Sequence, residues 1–280
     1  MKPGGRREAA PLRGARATAL ALLLGLFNAA SAVAGGFTIG GSGAAIGTMQ
    51  LLANEFTAKN PQIPIAMVPK LGSRGGINAV LDGAIGLAVT SRALEQGERK
   101  RGAVEIEYAR TPFVFAVSAE SGVSAITSRE LADIYSGKTT AWSDGSPVRV
   151  MLRPPGDVDT EMVRNLSPEI GRGLLAATAR PGVRVSVNDQ DAASDIERIP
   201  GAIGPSTLAL IVSEGRALRA LKFDGREPTP MNAASGAYPY HKRLFLVTGG
   251  RRAAEVERFI AFVRSPAGRK ILLGNGQWIP

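Results

Sequence analysis

Short apolar runs alternate with glycine-containing loops and helix-like repeats along most of this chain, and that alternation restricts its fold more than any other feature. Phe37-Thr38-Ile39 reads as a strand that enters Gly40-Gly41-Ser42-Gly43-Ala44-Ala45-Ile46-Gly47. Ile46, Met49, Ala53 and Phe56 then recur at helical spacing up to Lys59, where Asn60-Pro61 stops the helix. Ile63 to Val68 reads as the next strand. The loop Gly72-Ser73-Arg74-Gly75-Gly76 leads into a short helix carrying Ile77, Val80 and Leu81, and Gly86 to Val89 reads as a third strand. Strand, loop and helix repeated in this way predict an α/β fold with a mixed, mainly parallel sheet flanked by helices.

The pattern continues. Val104, Ile106 and Tyr108 alternate with Glu105 and Glu107, as in a half-buried strand, and Phe113 to Val117 is a second, fully apolar strand that suits a crossing between lobes. Thr127-Ser128-Arg129-Glu130 is a capping box opening a helix that ends at Gly137. Val148 to Leu152 is a strand ending at Arg153-Pro154-Pro155-Gly156-Asp157-Val158-Asp159-Thr160, with a helix from Glu161. Val183 to Val187 alternates as a strand, Asp191 suits the cap of a helix to Ile199, and Ala202-Ile203-Gly204 follows as a strand. Leu218 to Phe223 and Leu244 to Val247 are further strands; Asn232 to Pro239 suits a return crossing, and Val256, Phe259, Ile260 and Val263 mark an amphipathic helix.

Residues 1–34 have the form of a signal peptide: Lys2, Arg6, Arg7, Arg13 and Arg16 precede an apolar run from Ala17 to Phe27, and Ala32-Val33-Ala34 offers a small-x-small cleavage site, with Ala30-Ser31-Ala32 as a second. The apolar run is shorter than the roughly 20 residues of a membrane span. Cleavage would remove those five basic residues and Glu8, taking the formal charge from +10 to +6. That charge is scattered, and with aromatics at 5% the chain lacks the interleaved basic and aromatic runs of a nucleic-acid binder. The absence of cysteine excludes disulfides, thiolate metal sites and thiol catalysis.

The glycine loops supply the candidate site. Amide N–H groups at a helix start have no partner within the helix, and glycine lets a ligand approach them. Ser42, Ala45 and Ile46 stand at the first such start, and Ser73, Arg74 and Gly75 at the second. Ser91 and Arg92 follow the third strand, and Arg153 ends a later one, placing them at strand ends where ligands of open α/β sheets gather. Arginine's planar fork of donors suits a tetrahedral oxyanion. A salt bridge is the competing reading for both arginines, with Asp157 and Asp159 as ready partners. His241, the only histidine, reads as structural or solvated, Trp142 and Trp278 as packing residues, and Asp189, Asp191 and Asp195 as capping residues rather than a calcium loop.

Taken in order, these segments resemble the periplasmic phosphate-binding proteins of ABC transporters, which have the type 2 periplasmic-binding fold. Gly41-Ser42-Gly43-Ala44-Ala45 is similar to the family's opening phosphate loop, and Gly72-Ser73-Arg74-Gly75-Gly76-Ile77 to its Gly-Ser-x-Gly-Gly loop. Leu131 to Asp144, ending Gly137-Lys138-Thr139-Thr140-Ala141-Trp142-Ser143-Asp144, resembles a helix and Gly-Lys-x-x-x-Trp-x-Asp segment of the second domain. Pro200-Gly201-Ala202-Ile203-Gly204, Ala237-Tyr238-Pro239 and Ser265-Pro266-Ala267-Gly268 also match.

The resemblance implies two lobes joined by two crossing strands as a hinge: 35–112 and 236–280 form the first and 113–235 the second. It implies inorganic phosphate or another small oxyanion as ligand, a membrane permease as partner, periplasmic location, a monomer, and no enzyme activity, cofactor, metal or nucleic acid. Ser73 would donate its hydroxyl and N–H, Ala45 and Ile46 their N–H groups, and Arg153 its charge. The family's loop there is Arg-x-x-Gly-Ser-Gly-Thr, which puts Asp157, Asp159 and Thr160 beside the ligand.

Two positions depart from the family. Arg92 stands where phosphate binders carry an aspartate that accepts the ligand's proton, and Asp157-Val158 replaces a serine and glycine. Asp157 would either accept that proton itself or, with Asp159, neutralise Arg92 and Arg153. The second outcome would make the chain a periplasmic sensory or interaction module with an altered ligand site.

Overall fold

The computed structural model describes Gly35–Pro280 together with Met1; the expected leader otherwise lies outside the described residues. The first alternation becomes β1 (Phe37–Gly41), α1 (Gly43–Lys59), β2 (Ile65–Val68), α2 (Gly72–Leu81) and β3 (Leu87–Thr90), followed by the one-turn α3 (Gln96–Lys100). β1 lies between β2 and β3 and runs parallel to both. Met49, Leu52 and Phe56 of α1 are buried with Ile39 of β1, Leu87 and Phe259, which is why their helical spacing was readable. The stretch Gly72–Gly76, expected as a loop ahead of a helix, is itself the first turn of α2.

The next strand, β4 (Val104–Ser118), is continuous over 15 residues, where the sequence predicted two. It changes partner midway, and Pro112, which cannot donate to a ladder, falls at the change. Residues 104–112 pair antiparallel with a late strand, whereas Phe113–Ala116 pair with another and Ala116–Ser118 with a third.

The second half contains β5 (Ala125–Ile126), α4 (Ser128–Ser136), β6 (Arg149–Leu152), α5 (Val158–Arg164), α6 (Pro168–Ala179), β7 (Arg184–Val185), α7 (Asp189–Arg198) and β8 (Ala202–Thr207). After it come α8 (Leu208–Ser213), β9 (Leu218–Ala220), β10 (Lys222–Phe223) and α9 (Pro230–Ala234). The chain then returns through β11 (His241–Thr248), α10 (Ala254–Arg264) and α11 (Pro266–Gly274).

Several local expectations change. Thr127 and Glu130 form the expected capping box of α4. The helix expected from Glu161 breaks after Arg164, because Ser167 caps and Pro168 opens a new one. The strand expected over 183–187 shrinks to two residues at the sheet edge, where Val185 and Val187 are exposed. Asn188, not Asp191, caps α7, its side chain accepting from the Asp191 N–H. Leu218–Phe223 divides between β9 and β10, which belong to different sheets.

The main sheet runs β2-β1-β3-β11-β4-β8-β6-β7, with β9 also on β4. Parallel strands β1, β2 and β3 form one wing, and parallel β6, β7 and β8 the other. Antiparallel β11 and β4 join them. Each wing has its own buried clusters: Ile39, Leu52, Phe56, Leu246 and Phe259 in the first, Phe113, Phe115, Leu131, Tyr135 and Tyr238 in the second. The Tyr238 hydroxyl donates to the Phe113 carbonyl at 2.7 Å, tying the return segment to β4.

Candidate functional site

The carboxyl ends of β1, β3, β6 and β7 open on one cleft, together with the amino end of β11. The cleft is about 890 Å³ in volume. Parallel strands from both wings therefore present their following loops to one space, the place where open α/β sheets hold ligands.

The wall from the first wing is built of hydroxyls and helix starts. β1 delivers Ser42 and β3 delivers Ser91, while Ser73 lies in the first turn of α2. All three serines are buried. Ser42 Oγ donates to Ser91 Oγ at 3.0 Å, Ser73 Oγ lies 3.3 Å from Ser91 Oγ, and the Ser91 N–H donates to Ser73 Oγ at 3.1 Å. Gly41 makes this convergence possible. Its φ is 137°, and an added Cβ would overlap the Val89 carbonyl on the neighbouring strand. Lys70 and Arg74 stand at the rim of this wall.

The opposite wall is charged and tightly paired. Arg153 follows β6 and is almost fully buried. Its guanidinium donates to the Ser186 carbonyl at 2.6 Å and to Asp157 at 2.9 Å. Its Nε lies 3.7 Å from Asp159 and, among the described residues, has no hydrogen-bond partner. Lys242, near the start of β11, pairs with Asp159 and lies 3.9 Å from Asp189. Asp189 is also 3.9 Å from Arg153. Two buried cations thus face three carboxylates.

The charges of this wall shift one another. Burial, with Asp189 and Asp157 close by, pushes Asp159 up to about 6, against the pull of Lys242 and Arg153. Burial acts the same way on Asp189, yet the nearby Lys242 and Arg153 hold it below the usual carboxylate range. Lys242 is raised although burial opposes it, because Asp159, Asp189 and Asp157 surround it.

Of the residues expected from the sequence, Ser42, Ser73, Arg74, Ser91, Arg92, Arg153 and Asp157 line the cleft. Ala45, Ile46, Gly75, Asp159 and Thr160 do not. Ala45 is buried and its N–H already donates to the Ser42 carbonyl at 3.0 Å, so the residues of this helix start that line the cleft lie earlier, at Gly41–Gly43, where the Ser42 N–H donates to the Val89 carbonyl at 2.8 Å. Thr160 Oγ1 is turned back onto the carbonyls of Arg153 and Pro154. Asp159 sits beneath the wall as the partner of Lys242.

Neither acidic residue takes the place expected of it toward Arg92. Arg92 lines the cleft, but its fork is closed in a bidentate pair with Glu98, at 2.8 and 2.6 Å. Glu98 in turn raises its pKa. Asp157 has both oxygens engaged: one accepts from Arg153, the other from the Asp159 N–H as the cap of α5. That leaves it poorly placed to take a ligand's proton.

Lys242, Asp189 and Gln190 belong to the site as much as any expected residue. Lys242 gave no distinguishing signal in the sequence, standing between His241 and Arg243 ahead of the apolar run from Leu244. His241 lies on the cleft with its ring edge-on to Trp278, and burial lowers its pKa. Trp142 packs against the second-wing core and donates to the Gly201 carbonyl at 3.1 Å, a structural role as expected. Among the described residues, no group of acidic or histidine side chains is arranged to hold a metal ion.

A family model described as a PBP superfamily domain matches residues 28–267. Over 256 residues the chain is 26% identical to the phosphate-binding protein PstS of Bacillus subtilis, an alignment covering 88% of this chain and 81% of the relative. A phosphate-bound protein from Clostridium perfringens, assigned as the substrate-binding protein of a phosphate ABC transporter, superposes with a TM-score of 0.72. That match is 22% identical and covers 88% of this chain and 99% of the other. The periplasmic molybdate-binding protein of Azotobacter vinelandii superposes with a TM-score of 0.60 at 15% identity, covering 87% and 99%. The last two likenesses establish the two-lobed type 2 periplasmic-binding fold with its two crossing strands.

Proposed function

We propose, starting from the fact that this chain belongs to the PBP superfamily, that it is an exported solute-binding protein that captures phosphate or a related oxyanion. The lobes would be 35–112 with 236–280 and 113–235, and the leader would be cleaved after residue 34, releasing the protein to the periplasm. The observation that carries the ligand class is the cluster of three buried serine hydroxyls, two at the starts of α1 and α2 and one at the end of β3. Hydroxyls and free helix-start amides bind a desolvated tetrahedral anion without adding a fixed positive charge. The PstS relative adds phosphate as the first anion to test, and the family resemblance adds a membrane permease as the partner that would read the closed form. No chemistry on the ligand enters this reading.

Calorimetric titration with phosphate, arsenate, sulfate and molybdate tests it. Saturation at about 100 times the dissociation constant stabilises the fold by roughly 2.7 kcal/mol, so a thermal shift of several degrees accompanies binding. Ser91→Ala should weaken the affinity about tenfold or more through loss of a buried donor. Absence of heat and of thermal shift with all four anions sinks the reading. The carboxylates packed around Arg153 favour one alternative in that event, a sensory or interaction module whose ligand site has been altered.

A further inference from the structure

Three successive residues at the start of α7 reach across the cleft to the first wing. Asp191 accepts from Lys70 at 3.1 Å, and Gln190 Nε2 donates to the Gly43 carbonyl at 3.1 Å. Asp189 lies against Gly43 itself: a Cβ added there would sit 2.6 Å from the Asp189 Cβ and 2.7 Å from its Oδ2. Only glycine permits that approach. Gly43 is the first residue of a 17-residue helix, so its amide has no intrahelical acceptor and lies at the positive end of the helix dipole. The side chain placed there is a carboxylate only 12% exposed, with Arg153 and Lys242 each 3.9 Å away.

We infer that Asp189 is a built-in anion, seated by the second wing against Gly43 at the start of α1, and that it competes with the oxyanion ligand for this position. The inference rests on the oxyanion reading. The chain then carries its own counter-ion for Arg153 and Lys242. An incoming anion must displace that carboxylate or bind beside it against repulsion. Ligand affinity is thereby held below what the serine cluster and helix starts would give alone. The contact also joins the wings, so displacing Asp189 and Gln190 couples ligand exchange to movement of α7.

The test uses phosphate as the probe, with the wild-type chain, Asp189→Asn and Gly43→Ala. Asp189→Asn keeps the shape and removes the charge. Gly43→Ala instead pushes α7 off the helix start while leaving the aspartate in place. The amide resonance of Gly43, in glycine-labelled protein, gives a readout that needs no ligand. The inference expects this resonance to move in Asp189→Asn, and phosphate to bind about tenfold more tightly to that variant, the scale of a charge at a helix terminus. Gly43→Ala should also tighten phosphate. An unmoved Gly43 amide overturns the inference, as does unchanged or weaker phosphate binding by Asp189→Asn when the wild type binds. If the amide moves and neither chain binds any oxyanion, the seat of Asp189 stands and the oxyanion reading falls.

Discussion

The two walls of the cleft recognise charge by opposite means. The first-wing wall holds Ser42, Ser73 and Ser91 in contact through their hydroxyls, with no ionised group among them. The second-wing wall holds Arg153, but its guanidinium is already paired with Asp157 and the Ser186 carbonyl and lies close to Asp159 and Asp189. Neutral donors at helix starts cost little to bury and remain available to a ligand. A buried guanidinium must be neutralised where it stands, and the groups that neutralise it are those that repel an anion. An arginine in a cleft is therefore weaker evidence of an anion site than a serine at the start of a helix.

Stability separates the walls most sharply. Lys242→Met removes the ammonium from beside Asp159 and leaves two nearly buried carboxylates and Asp157 facing one arginine. Breaking a buried pair by deleting one partner costs about 3–5 kcal/mol, on the order of 10 °C in melting temperature for a chain of this size. Ser91→Ala, on the opposite wall, removes a hydroxyl from a neutral cluster and should cost about 1 kcal/mol. Denaturant unfolding of both variants checks the contrast. Equal costs would mean that the second wall is no more electrostatically committed than the first.

The pH dependence sharpens the same contrast. Asp159 is raised to about 6 in the folded chain from an ordinary value of 3.8. A carboxyl shifted upward lends stability when protonated, and that contribution is lost as pH rises through the window between those values. The unfolding free energy of the wild type should therefore fall relative to Asp159→Asn between about pH 4 and about 6, then level off. Unfolding curves for the two proteins at steps across that range decide it. A difference that stays flat would show that Lys242 keeps Asp159 ionised throughout.

How legible each wall was in the sequence follows from the range of its interactions. The first wall is local: a strand, a glycine and a serine within a few residues of a helix start, repeated at Ser42 and Ser73. The capping box at Thr127 was legible for the same reason. Lys242 was not, since its burial depends on pairing with Thr111 in β4 and on carboxylates from α5 and α7. Asp189 looked like an ordinary capping residue because nothing local shows that Gly43 lies against it. The continuity of β4 was hidden by Pro112, which reads as a break unless the change of partner there is known.

Arg92 is the residue on which sequence and geometry diverge most, and the smallest effect is expected there. Its position after Ser91 suggested a clamp, yet its fork is closed on Glu98 six residues further on, with Glu95 at 3.7 Å. The pair is partly exposed, and such pairs contribute on the order of 1 kcal/mol or less. Arg92→Met should thus lower stability by less than about 1 kcal/mol. It should also change phosphate affinity by no more than about twofold, since the charge removed was neutralised in place and Glu98 is left near the rim. Titration of this variant beside Ser91→Ala compares two neighbouring residues at one strand end. A loss in Arg92→Met as large as that in Ser91→Ala would mean that Arg92 leaves Glu98 when the anion arrives, making it a donor in the bound state despite its pairing here.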